Sequence, residues 1–149
     1  MEPVLEETTA ADPEVAALAA EQEAEVMARY GEDDAGPGAT PTSPAVLVRI
    51  DGRAVGCVAV EPHGDGPGEI KRMYVHPDAR GRGLSRLLLE RAEQLARAAG
   101  IRTLRLETGT EQPEAIALYR RAGYGPIPCY RYWKDDPSTR CFEKVLAGR

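Results

Sequence analysis

The sequence predicts one α/β domain (an α+β mixed sheet) over residues 1–149, with a mixed central sheet and helices on both faces. Three observations carry this. A chain of 149 residues has the usual size of a single domain and can bury a sizeable core. Apolar runs flank Asp51-Gly52, a strong signal for a hairpin and so for antiparallel pairing. Between Glu69 and Glu107 a strand, a Gly-punctuated turn, a long amphipathic helix and a second strand follow one another. That succession reads as a right-handed parallel crossover. The whole order is β-α-β-β-β-α-β-α-β-β.

The elements are justified in turn. Val4 to Thr8 reads as a short strand. Asp12-Pro13 starts a helix, with Asp as N-cap and Pro at the first helical position. Val15, Leu18, Gln22, Val26 and Tyr30 continue it at helical spacing, between mostly acidic residues. Gly31 to Pro44 is a loop rich in Gly, Pro and Asp, expected to be mobile without ligand and to order when an acceptor binds. AVLVRI and RAVGCVAVEP are the hairpin strands, HGDGPG is a turn and EIKRMYV is a strand. A helix from about Leu84 to Ala99 places Leu84, Leu87, Leu88, Ala92, Leu95 and Ala99 on one face, and Gly100 closes it. IRTLRLE is a strand with Thr103, Arg105 and Glu107 opposite Leu104 and Leu106. A helix runs from near Pro113 to Ala122 and ends at Gly123; strands follow around Tyr124 to Cys129 and Thr139 to Leu146.

Composition narrows the function. Hydrophobic residues make up 42% and charged residues 29%, ordinary values for a globular protein. No apolar run is long enough for a membrane span, and the acidic MEPVLEETTA is no signal peptide. Cys57, Cys129 and Cys141 are too few and too irregular for a disulfide framework, so they read as buried thiols in a reducing, cytoplasmic compartment. His63 and His76 have no second ligand at a metal-binding spacing, so no metal is expected. The net charge of −5 is uneven: residues 1–45 carry eleven acids and one base, Arg29, and the remainder carries eighteen bases and thirteen acids. The body therefore suits a small polyanion, whereas nucleic-acid binders show a stronger basic excess.

The run Arg80, Gly81, Arg82, Gly83, Leu84, Ser85 opens the long helix. A helix N-terminus presents unpaired N–H groups and the positive end of the dipole. Glycines adopt positive φ and let a ligand approach the backbone closely. With two arginines added, the run reads as a pyrophosphate cradle. A Gly-softened loop with solvated arginines is the competing reading. A Walker loop would need Gly-x4-Gly-Lys-Ser/Thr, which is absent. A dinucleotide fingerprint would need a third glycine where Arg86 stands.

Val75 to Ser85, V-x-P-x-x-R-G-x-G-x-S, resembles motif A of the GNAT superfamily of N-acetyltransferases. Gln112 to Tyr124, QPEAIALYRRAGY, is similar to that family's second signature, N-x-x-A-x-x-L-Y-x-x-x-G-F. Arg80 and Gly83 match motif A, and Ser85 stands where Gly or Ala is usual. Gln112 stands where Asn is common, and Tyr119 matches the family tyrosine. The resemblance covers about Val46 to Leu146. It implies an acetyl-CoA-dependent enzyme that moves an acetyl group directly to an amine, without a covalent enzyme intermediate and without a metal. It further implies that Arg80, Gly81, Arg82, Gly83, Leu84 and Ser85 hold the pyrophosphate. Gln112 would then contact the pantetheine arm. Backbone amides of Met73, Tyr74 and Val75, in a strand splayed from its neighbour, would meet the pantetheine and the thioester carbonyl.

Three tasks follow for such a reaction. A protonated amine must lose a proton, a developing oxyanion needs a donor, and the departing thiolate needs a proton or a hydrogen bond. Tyr119 is the expected acid, a core-packed tyrosine being the alternative, since Ile116 shares its face. Glu69 is the expected base, where some family members place a glutamate; Glu107 and a water chain compete with it. Tyr130, Tyr132 and Trp133 read as the wall of an acceptor pocket or a homodimer contact, and Lys71, Arg72 and Arg131 as candidates for holding an acceptor carboxylate. The expected acceptor is a small or amino-acid-like amine. A protein N-terminus or lysine is the variant within the class, and a non-catalytic acyl-CoA-binding regulatory module is the alternative outside it.

Overall fold

The computed structural model describes residues 2–30, 39–109, 113–130, 137 and 139–146. Among these the elements are β1 (Val4–Thr9), α1 (Pro13–Tyr30), β2 (Pro44–Ile50), β3 (Arg53–Glu61), β4 (Gly68–Val75), α2 (Leu84–Ala98), β5 (Thr103–Gly109), α3 (Pro113–Arg121), β6 (Gly125–Ile127) and β7 (Thr139–Val145). This is the element order expected from the sequence. One sheet of seven strands runs β1-β2-β3-β4-β5-β7-β6. Its only parallel pairing among the described residues is β4 with β5.

Local chemistry sets the elements. The Asp12 carboxylate accepts the Glu14 N–H and the Thr8 hydroxyl, each at 2.8 Å, which caps α1 and ties it to β1. These bonds, the Glu14 N–H first, hold the Asp12 carboxyl below its ordinary pKa. Asp51 and Gly52 take positive φ values of 52° and 81°, the conformation of a two-residue hairpin turn.

Strand alternation sends side chains to two cores. On one face Val15 and Leu18 of α1 pack on Ala45, Leu47, Cys57, Ala59 and Tyr74. On the other, Val46, Val48, Val58, Val60, Leu104, Leu106 and Phe142 meet α2 and α3. The helices thus cover both faces, as a mixed sheet of this length requires.

Two expectations are corrected. The buried stripe of α2 is Leu84, Leu88, Leu89, Ala92, Glu93 and Ala96. Leu87 and Leu95 lie at its margin, and Ala99 is exposed beyond the helix end. Glu93 is charged and so falls outside an apolar pattern; ion pairs satisfy it in the interior, and the buried face is rotated toward it. The second correction concerns the thiols. Cys129 and Cys141 are joined in a disulfide across 12 residues, and Cys57 alone among the three is free. The spacing concealed this because Cys141 lies opposite Ile127 in the β6–β7 register, with Cys129 just beyond the end of β6.

Candidate active site at the parting of β4 and β5

β4 and β5 pair over two positions only, Gly68 with Leu104 and Glu69 with Arg105. Beyond them the strands separate, and among the described residues no strand pairs with residues 70–75 on their β5 side. The splay implied by the family resemblance is therefore present. The other edge of β4 is bulged against β3: Lys71 opposes Ala59 and Tyr74 opposes Cys57, with the register shift between them. Arg72 in the bulge has φ +57°. Such a bulge bends a strand and re-aims its groups. The Cys57 thiol donates to the Arg72 carbonyl at 3.2 Å, and the Gln22 amide donates to the Met73 carbonyl at 2.8 Å. Burial raises the Cys57 pKa to about 12, so it stays an inert thiol.

A cavity of about 1200 Å³ occupies the parting. β4 residues 70–75 form one wall and Glu107, Thr108 and Gly109 of β5 another; α3 contributes Leu118 and Tyr119, and α1 contributes Gln22, Glu25 and Val26. The mouth is the Arg-Gly turn. Gly81 and Gly83 have φ of +82° and +76°, and among the described residues no side chain caps the N-terminus of α2. Backbone donors at the head of α2 are thus left for a ligand, in the conformation that glycine permits at little cost.

Of the residues expected to hold a cofactor, Met73, Tyr74, Val75, Arg80, Gly81, Gly83, Leu84 and Ser85 line the cavity. Arg82 is exposed and is not among the lining residues. Gln112, Arg131, Tyr132, Trp133 and residues 31–38 of the expected mobile loop lie outside the described residues. The rest of that loop is anchored: Glu61 accepts the Thr40 N–H at 2.7 Å, the Thr40 hydroxyl, and the Ser43 hydroxyl at 2.7 Å. Arg80 does more than supply charge. Its Nε donates to the Val75 carbonyl at 2.8 Å, Nη2 donates to Glu25 at 2.7 Å, and the guanidinium stands 5.6 Å from the Tyr74 ring centroid. It braces the end of β4 against the turn and α1.

Tyr119 is 4% exposed and lines the cavity. Burial, with the Glu107 charge adding to it, pushes its pKa well above the ordinary tyrosine value. The phenol is therefore a protonated donor throughout the working pH range. The two carboxylates considered as base are separated by the fold. Glu107 lines the cavity. Glu69 is 5% exposed and outside the lining residues; it meets His63 Nε2 at 2.5 Å and Lys71 Nζ at 3.5 Å. Tyr130 packs under the Arg105 guanidinium, 5.3 Å from its centroid.

Several lining residues escaped the sequence reading. Gln22 sat in plain view as the one amide in the apolar spacing of α1. Arg86 was noted only as a missing glycine. Glu93 and Lys144 come from distant parts of the chain and gave no local signal. Among the described residues no cluster of three His, Cys, Asp or Glu side chains could hold a metal ion, and no helix is long and apolar enough to cross a membrane.

Residues 5–124 match the family model of the acetyltransferase (GNAT) family. The IAA acetyltransferase of Azospirillum brasilense is 44% identical over 110 residues, covering 72% of this chain and 71% of that protein. A solved chain from Klebsiella pneumoniae subsp. pneumoniae MGH 78578, provisionally identified as an acyl-CoA N-acyltransferase, superposes with a TM-score of 0.84 at 36% identity, covering 97% of this chain and 98% of that one. A GNAT family acetyltransferase from Elizabethkingia anophelis, solved with acetyl-CoA bound, shares the fold at a TM-score of 0.72 and 17% identity, with 97% and 98% of the two chains covered. The chain belongs to the GNAT family and is an N-acetyltransferase.

Proposed function

We propose that this enzyme transfers the acetyl group of acetyl-CoA to a small-molecule amine within the cavity between β4 and β5. One observation carries the reading: a single cavity joins the glycine turn at the head of α2 to Tyr119 and Glu107. The residues present fit the donor. Gly81 and Gly83 leave the turn open, and a Cβ built on either meets no protein atom within 4 Å. The space there is available to a pyrophosphate, which the uncapped N–H groups of α2 would bind. Acetyl-CoA supplies an acyl group activated as a thioester.

The chain's own groups do the rest. The freed edge of β4, at Met73 to Val75, orients the acyl arm and offers N–H donors where oxyanion charge develops. Tyr119 donates its phenolic proton, or a hydrogen bond, to the departing sulfur. Glu107 takes the proton of the incoming ammonium, because it lines the cavity while Glu69 lies outside the lining. Release of free CoA from acetyl-CoA, measured against a panel of amino acids, polyamines and aryl amines, tests the reading. Turnover with one class of small amine is expected; no turnover with any of them, alongside acetylation of a peptide lysine or N-terminus, would overturn the choice of acceptor.

A further inference from the structure

Beside Tyr119 lies a buried polar cluster, of which Glu93 and Lys144 also line the cavity, and to which the chemistry above gives no role. Glu93 projects inward from α2 and is 6% exposed. Its carboxylate accepts the Tyr124 hydroxyl at 2.9 Å and the Lys144 ammonium at 3.0 and 3.2 Å, with Arg97 at 3.8 Å. The groups come from α2, from the turn after α3 and from β7. A carboxylate withdrawn from water is costly unless it is paired this closely, and an apolar residue would fill the same position without that cost. Packing alone therefore does not account for Glu93.

What the cluster fixes is the ring of Tyr124. Tyr124 is 3% exposed; its hydroxyl is held by Glu93, and the Lys144 ammonium stands 5.6 Å from the ring centroid. Tyr124 in turn meets Tyr119 edge-on, with centroids 5.9 Å apart and an interplanar angle of 66°. Its N–H also donates to the Tyr119 carbonyl at 3.0 Å. The described contacts place Tyr124 against Tyr119, while Tyr124 itself is not among the residues lining the cavity.

We propose that Glu93, acting through Tyr124, is a positioning residue that sets the orientation of the Tyr119 ring and so aims its hydroxyl at the leaving group. This rests on the role of Tyr119 proposed above. Tyr124→Phe removes the hydroxyl held by Glu93 but keeps the ring, its edge contact and the Glu93–Lys144 pair. A misaimed acid should lower kcat by roughly 10- to 100-fold, with the acetyl-CoA dissociation constant unchanged within about twofold. The decisive comparison is the double variant. Tyr119→Phe with Tyr124→Phe should be no slower than Tyr119→Phe alone, since no hydroxyl is left to aim. Glu93→Gln, which keeps an oxygen for Tyr124, should lose less activity than Glu93→Leu.

The assay is CoA release with acetyl-CoA and the best amine of the panel, normalised to folded protein by circular dichroism. Losses that multiply in the double variant would overturn the proposal, because Tyr124 would then act independently of Tyr119. So would a Tyr124→Phe enzyme with full kcat beside a Tyr119→Phe enzyme that has lost it. If Tyr119→Phe itself keeps full kcat, the acid assignment fails and the proposal falls with it, a result distinct from the other two.

Discussion

Gly83→Ala, compared with Gly52→Ala, separates a ligand cradle from an ordinary turn. The two glycines have nearly the same φ, +76° and +81°, and an added Cβ at either meets no described atom beyond its chain neighbours within 4 Å. Both substitutions therefore impose the same left-handed strain and no clash. That strain is about 1–2 kcal/mol for an L-residue. Restricting the unfolded chain gives back about 0.4–1 kcal/mol. A net loss near 1 kcal/mol should lower Tm by about 2–4 °C in a chain of this size. In binding the variants must part. Gly52 is in the β2–β3 hairpin, outside the cavity; Gly83 lines it at the start of α2. A methyl group there would hold a pyrophosphate off the backbone donors. Loss of one charge-assisted hydrogen bond is about 1.5–3 kcal/mol, or roughly 10- to 150-fold in Kd. Calorimetry with CoA should show that loss for Gly83→Ala and none for Gly52→Ala, with matched melting curves. Gly83→Glu, which places a bulky anion in the cradle, should abolish binding in a folded protein. Equal CoA affinity in the two alanine variants would remove the pyrophosphate from the head of α2.

Tyr119→Phe should lower kcat by about 10²- to 10⁴-fold with little change in acetyl-CoA affinity; intact kcat with early melting would make Tyr119 a packing residue only. Because its pKa is raised, the wild-type kcat should show no alkaline fall from Tyr119 near its ordinary pKa of about 10. Glu107→Gln should depress kcat/KM most at low pH and recover as alkali deprotonates the amine. Glu69→Gln should show a smaller effect; the reverse ranking in a pH–rate series would move the base to Glu69. Asp12→Ala should cost about 1 kcal/mol in a denaturant melt by uncapping α1. The Asp12 carboxyl is lowered in the folded state, so its contribution is present above the unfolded pKa of about 3.9 and is lost as pH falls below it. Wild type and variant should converge in acid, and a constant gap down to pH 2 would contradict the capping account.

How much was legible in the sequence depended on whether the signal was local. The hairpin at Asp51-Gly52, the cap at Asp12 and the turn at Gly81 and Gly83 are written in adjacent residues, and the structure bears them out. The inward face of α2 was misread because Glu93 looks like a surface residue until Lys144, fifty-one positions away, is placed beside it. Separation along the chain also hid the disulfide partner of Cys129, 12 residues on, and the contact of Gln22 with Met73, 51 positions away. The parting of β4 from β5 has no sequence signature at all. It depends on where pairing stops between Glu69 and Arg105, and it became an expectation only through the family resemblance.

The uneven charge has a structural answer different from the one its distribution suggested. Read along the chain, an acidic first third and a basic body look like separate surfaces, the second free to attract an anion. In the fold four of the arginines are paired with five of the acids of the first third. Arg49 pairs with Glu6 and Glu14, Arg72 with Glu23, Arg80 with Glu25 and Arg91 with Glu7. Two of these pairs join α1 to the wall and mouth of the cavity. Partly exposed pairs of this kind add little stability each. Their consequence is geometric: with the Gln22–Met73 bond they hold α1 along the free length of β4, where the sheet has no strand to close it. The basic excess is therefore a weak guide to where an anion binds. The stronger guide is the pair of positive-φ glycines at the head of α2, because the N-cap Gly83 has no side chain to take up the backbone donors there, whereas Arg80 is paired with Glu25.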